Sequence, residues 1–150
     1  DVYKRQPSTI TRLQNMGTPD YLISAACQLV VAQRLARKNC KECKVPDDDV
    51  TPKVLQDLGF TAELASRVKA VKGKGCAKCS DTGYKGRQGI YEILSVSKPL
   101  KEAILRKATT PELREIAIKE GFQTMQDMGR RLIAAGELNF REYERVLSGE

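Results

Sequence analysis

Histidine and tryptophan are both absent from the 150 residues, and aromatic residues make up only 5%. Without histidine the commonest general base is missing, and any metal site must be built from thiolates or carboxylates. So few rings leave little with which to stack nucleobases. The Gly-x-x-x-x-Gly-Lys-Ser/Thr arrangement that cradles phosphates is also missing, although VKGKGCAK carries the lysines and glycines. No pair of carboxylates stands out, and Asp47, Asp48 and Asp49 read as a solvated loop. The most apolar run, Tyr21 to Ala32, is broken by Ser24 and Gln28 and ends in Gln33-Arg34. It falls short of the roughly 20 residues that cross a bilayer. The opening DVYKRQPSTITRL has no apolar segment of the signal-peptide kind. The five cysteines are therefore expected in a reducing cytosol, where metal binding outranks disulfides.

What is present is a 41% hydrophobic chain with a net charge of +7, enough for one domain or two small subdomains. The charge is concentrated: residues 1–44 hold eight Lys/Arg and three Asp/Glu, a net +5 of the +7. Such a balance suits an anionic partner or simply a solvated basic surface.

Periodicity predicts a mainly helical α+β chain. Thr18-Pro19 opens a helix whose face is Leu22, Ile23, Ala26, Leu29, Val30 and Ala32, with Arg34, Arg37 and Lys38 near its far end. Cys27 within it reads as a small core residue, and a shorter helix precedes it near Ser8 to Met16. Thr51-Pro52 starts a short helix ending at Gly59, and Thr61 to Val68 forms another. Val68 to Lys74 and Gln88 to Ser95 read as two strands, paired as a hairpin with a cysteine knuckle at its tip. Later helices carry Leu100, Ala103 and Ile104, then Leu113, Ile116 and Ala117 behind a Thr110-Pro111 cap. Met125, Met128, Leu132 and Ile133 form the next, closed by Gly136. Asn139 and Glu142 form a capping box for a last helix through Leu147.

The cysteine pattern is the most specific signal. Cys40-Lys-Glu-Cys43 and Cys76-Ala-Lys-Cys79 are separated by 32 residues, positions 44 to 75. Each Cys-x-x-Cys sets two thiolates on one tight turn, and two turns supply the four sulfurs of tetrahedral Zn²⁺. Cys40, Cys43, Cys76 and Cys79 are thus the expected ligands of a structural zinc, with no open position for catalysis. Lys41, Lys44, Lys74, Lys78 and Lys85 surround them and are expected to offset the negative charge of the thiolates. A redox pair would open a helix after a strand, and neither motif does.

PSTITRLQNMGTPDYLISAACQLVVAQRLARKNCKECK followed by GCAKCSDTGYKGRQGIYEIL closely resembles the C-terminal part of bacterial type II secretion and type IV pilus assembly ATPases. Those are hexameric cytoplasmic motors with a RecA-like core and a four-cysteine zinc subdomain. The resemblance runs from Pro7 nearly to the end. DVYKRQ does not match the histidine-bearing strand of that family, and the Walker motifs would lie upstream of residue 1. It implies three parts: residues 1–39 as the end of the RecA-like core, 40–95 as the zinc-binding subdomain, and 96–150 as a C-terminal helical subdomain. It further implies ATP and Mg²⁺ in the parent, and contacts with its own ATPase core and with neighbouring subunits of a homo-hexamer. An inner-membrane platform protein is the implied partner, with the motor cytoplasmic and peripheral at that membrane. The segment alone is expected to be inactive. Gln33 and Arg34 would approach the nucleotide in the parent, or Arg34 would serve as a helix-end cation. Arg87 would meet a carboxylate or a neighbouring subunit, or remain a solvated turn residue. A J-protein-type chaperone zinc domain fits less well, because CKECKVP lacks that family's glycines. A nucleic-acid-binding zinc ribbon suits the charge but has only Tyr84 near the knuckles for stacking.

Overall fold

The computed structural model describes residues 5–147, with side chains from residue 8 onward. The mismatched DVYK of the opening lies outside them. In chain order the elements are α1 (Arg5–Asn15), α2 (Asp20–Ala26), β1 (Leu29–Asn39), β2 (Lys44–Pro46), α3 (Pro52–Asp57) and α4 (Ala62–Arg67). They continue as β3 (Val71–Gly73), β4 (Tyr84–Ser95), α5 (Lys98–Leu105), α6 (Thr110–Lys119), α7 (Met125–Ala134) and α8 (Phe140–Leu147). Single 3-10 turns cover Lys41–Cys43 and Ala77–Cys79. The fold is the expected α+β class, with helices flanking a small antiparallel strand pair and a four-cysteine cluster. Among the described residues no helix is long and apolar enough to cross a membrane.

Two of the expected elements are corrected. The long helix from Thr18 to Lys38 is instead the seven-residue α2 followed by the eleven-residue strand β1. Leu22, Ile23, Ala26, Leu29 and Val30 fit a helical stripe, but Leu29, Val31, Gln33 and Leu35 also alternate at the strand period. In the fold these four are exposed while Ala36, between Leu35 and Arg37, is buried. The β-branched Val30-Val31 step and pairing with β4 decide the outcome, since backbone pairing overrides a weak helical preference. Cys27 stands at the α2 C-cap, half-buried against the core. The second correction concerns pairing. β3 and β4 do not form a hairpin: β4 pairs with β1, and β3 pairs antiparallel with β2, placing Lys44 opposite Gly73 and Pro46 opposite Val71.

The helix starts after residue 50 follow their caps closely. Thr51 accepts from Val54 N and Thr61 from Leu64 N, as Thr-led N-caps do. At α6 the cap is Thr109, one residue before the expected Thr110, because Glu112 closes a capping box back onto Thr109 N at 2.7 Å.

The described residues form two compact units, neither continuous in sequence. One comprises residues 5–33 and 91–124, the other residues 34–90 and 125–147. The first has a contiguous apolar core of Ile10, Ile23, Leu94, Val96, Leu100, Ile104 and Leu113 with small residues between, and α2 packs on α5 and α6 on α1. The second carries all four cysteines of the two motifs, with α3 on α4 and α7 on α8.

A polar network anchors β1 to α8 within the second unit. Asn39 is 1% exposed; its amide donates to Val71 O and Gly136 O, both at 3.2 Å, and its oxygen accepts from Asn139 at 2.9 Å. Asn139 caps α8 by accepting Glu142 N at 2.8 Å. Glu142 itself is fully buried and does not fold back onto its cap. It accepts Arg37 N at 2.8 Å, Arg37 Nη2 at 2.7 Å and Arg145 Nε at 2.8 Å. Arg37 lies 4.0 Å over the Tyr84 ring. Burial pushes the Glu142 carboxyl up, but the Arg145 and Arg37 guanidiniums and the Arg37 N–H outweigh it and lower it to about 2. The stabilisation is therefore present above the unfolded carboxyl value of about 4.3 and is lost as pH falls from there toward 2. Glu142→Gln should cost about 2 kcal/mol at neutral pH, the arginines being half exposed. Urea denaturation of both proteins across pH should show that difference shrinking below about pH 4. A difference unchanged down to pH 3 would mean that the charge of Glu142 does not matter.

Candidate metal centre

The two Cys-x-x-Cys turns converge. Cys40 follows β1 and Cys43 closes the 3-10 turn after it, while Cys76 and Cys79 bracket the second turn after β3. Sγ–Sγ distances are 3.9 Å for Cys40–Cys76, 3.9 Å for Cys43–Cys79 and 3.7 Å for Cys76–Cys79. All four sulfurs lie within 4.8 Å of one another. Four sulfurs placed tetrahedrally at ~2.3 Å from one ion are about 3.8 Å apart along each edge. A disulfide would bring two of them to ~2.05 Å, and all the cysteines are free. The cluster can thus hold one metal ion with four sulfur ligands and leaves no ligand position open.

Gly83 connects the two halves. Its N–H donates to Cys79 Sγ at 3.3 Å, and its carbonyl accepts Cys40 N at 2.9 Å. Its φ of +76° lies in the region that favours glycine. Its backbone also presses against Gly73: a Cβ on Gly83 would stand 2.3 Å from Gly73 O, and one on Gly73 would stand 2.0 Å from Gly83 O. Lys74 N donates to Cys43 O at 3.0 Å, fixing the first knuckle from the β3 side. The glycines flanking the second motif are there because two backbones touch.

The thiols are not equivalent. Cys40, Cys43 and Cys79 are buried, at 0%, 8% and 7% exposure, and Cys76 is partly exposed. Burial pushes the Cys43 thiol up, only partly opposed by the N–H of Gly75. Cys79 is also buried, yet the N–H groups of Cys76 and Gly83 favour its thiolate and lower it below the ordinary thiol value. A cation binding here displaces protons from such thiols.

Of the lysines expected around the site, Lys44 lies 3.8 Å from Glu137, which also holds Lys38 at 2.8 Å. Asp47 and Asp49, read as a solvated loop, hold Lys72 of β3 at 2.7 and 3.1 Å. Gln33 and Arg34 sit on β1, six or more residues before Cys40 in the chain. Gln33 donates to Tyr91 Oη at 3.1 Å. Arg34 is not at the end of its own helix, as expected, but donates from a strand to the carbonyl of Val146 in the last turn of α8, where a cation is favoured. Arg87 is exposed on β4, with no acidic partner among the described residues.

Gly83→Ala combines a positive φ with a backbone clash and should cost at least about 2 kcal/mol. Metal retention against a chelator should fall with it. Unchanged melting and unchanged retention would remove Gly83 from the account.

The chain matches the family model described as "Type II/IV secretion system protein" over residues 4–145. It is 35% identical over 136 residues to the type IV pilus assembly ATPase PilB of Myxococcus xanthus, covering 91% of this chain and 24% of that one. It is 40% identical over 123 residues to PilB of Thermus thermophilus, covering 80% of this chain and 13% of the relative. With the type II secretion system protein HxcR of Pseudomonas aeruginosa the identity is 32% over 139 residues, covering 93% and 25% respectively. The chain thus spans about a quarter or less of the length of these curated relatives. With a match across nearly its whole length, the chain belongs to the type II/IV secretion system protein family.

Proposed function

We propose that these residues form the zinc-binding and C-terminal helical part of a hexameric cytoplasmic ATPase that powers type IV pilus assembly or type II protein secretion. The observation that carries the proposal is the four-sulfur cluster with near-tetrahedral spacing, in a chain of this family. Cys40, Cys43, Cys76 and Cys79 would hold the zinc. Its binding free energy, on the order of 10 kcal/mol, would supplement a core poor in aromatic residues. With four thiolates and no open position, the metal is structural, joining residues 40–43 to residues 76–79.

In the longer parent, ATP and Mg²⁺ would be bound by motifs outside these residues, since the phosphate-gripping motif does not occur in them. Gln33 and Arg34 would stand near the nucleotide. The exposed face of Leu29, Val31, Tyr91 and Ile93 in the first unit is the kind of apolar surface that more protein would cover, and the parent's own core is the occupant that this reading assigns. Neighbouring subunits and an inner-membrane platform protein would complete the machine, which converts hydrolysis into fibre assembly.

The purified chain should contain one zinc per molecule by elemental analysis and show no ATP turnover. Cys40→Ser should lose the metal and melt at a lower temperature. Full metal content in Cys40→Ser would refute the four-cysteine site, and reproducible turnover by the chain alone would refute the placement of the ATPase machinery elsewhere.

A further inference from the structure

We infer that Cys76 is the entry point to this metal centre, the thiolate at which electrophiles and hydroperoxides open it. The inference rests on the zinc-site reading above and concerns how that site responds to chemistry. Three sulfurs are protected. Cys40 has no exposed surface, and Cys43 and Cys79 have little. Cys79 Sγ also accepts two backbone N–H groups, from Cys76 at 3.2 Å and Gly83 at 3.3 Å. Hydrogen bonds of this kind withdraw electron density from a metal-bound sulfur and hold it in place. Cys76 differs in both respects. It is the partly exposed member of the four, and its sulfur accepts one backbone N–H, that of Cys79, within the reciprocal cap of the turn. Reaction at a cysteine follows thiolate character and access. All four ligands are thiolates when a metal is bound, so access decides among them.

The geometry also supplies a second step. With a hydroperoxide as oxidant, the Cys76 sulfur attacks one peroxide oxygen. An S–O bond forms, the O–O bond breaks, and the departing hydroxide or alkoxide takes up a proton. The Cys76 sulfur has then lost two electrons and the peroxide has gained them, leaving a sulfenic acid. Cys79 Sγ lies 3.7 Å away. Its thiolate attacks the Cys76 sulfur, an S–S bond forms, and hydroxide leaves. The site thereby loses two of its four thiolates, both from the second motif, while Cys40 and Cys43 remain reduced.

Cys27 provides an internal reference, because it is half-buried outside the cluster and its reactivity has no reason to depend on zinc. The zinc-loaded chain is treated with sub-stoichiometric N-ethylmaleimide, quenched at intervals and mapped by peptide mass spectrometry, while a chromogenic chelator follows released zinc. Zinc per chain is measured on the same sample beforehand. Cys76 should be labelled roughly tenfold faster than Cys40, Cys43 or Cys79, and zinc release should track Cys76 labelling but not that of Cys27. A parallel sample given hydrogen peroxide should yield a Cys76–Cys79 disulfide as its first cross-link. Zinc at one per chain with even labelling of the four ligands, or with another ligand labelled first, overturns this inference and leaves the zinc site standing. A chain without zinc overturns the zinc-site reading and this inference together.

Discussion

Four sulfurs that hold one ion stand about 3.8 Å apart, and here sulfurs with such spacing come from two segments separated by 32 residues. That spacing requires the end of β1 and the turn after β3 to approach until their backbones are in contact. The contact is made at Gly83, which hydrogen-bonds to the sulfur of one motif and to the backbone of the other and admits no Cβ beside Gly73. The short antiparallel pairing of Lys44–Pro46 with Val71–Gly73 continues the same approach. Helices α3 and α4 occupy the sequence between the strands and return the chain to this point.

A second constraint acts from the other side of Cys40. Asn39 is locked by Val71, Gly136 and Asn139, and Arg37 by the buried carboxylate of Glu142. The residue before the first ligand is therefore positioned by α8 and by the turn after α7, sequence some hundred residues away. This arrangement explains why a buried acid is tolerated. Glu142 gives up water but gains two guanidiniums and a backbone N–H, and its lowered proton affinity reflects that exchange. Helix α8 and the turn after α7 thus support the cysteine cluster through Asn39 and Arg37, by hydrogen bonds within one compact unit.

The convergence of the four cysteines was the most legible feature of the sequence, because Cys-x-x-Cys is a local geometric device whose meaning survives without knowledge of the fold. Helix starts at Thr51, Thr61 and Asn139 were legible for the same reason: a cap acts over three residues. What failed were choices settled by distant partners. Leu29 to Ala36 fits both a helical and an alternating pattern, and only pairing with β4 makes it a strand. The partner of β3 was misassigned because Lys44-Val45-Pro46 is too short to announce itself as a strand. Glu142 read as a capping residue, since nothing local reveals that Arg37 approaches it from 105 residues away. Gly73 and Gly83 were visible as glycines around the motif, but their mutual contact was not.

The cluster geometry is compatible with one metal ion held by four thiolates, and the proposed reading takes that ion to be a structural zinc. Zinc K-edge X-ray absorption of the purified chain tests it most directly. The account predicts a single shell of four sulfurs at about 2.3 Å. A first shell containing oxygen or nitrogen, or fewer than four sulfurs, would contradict it.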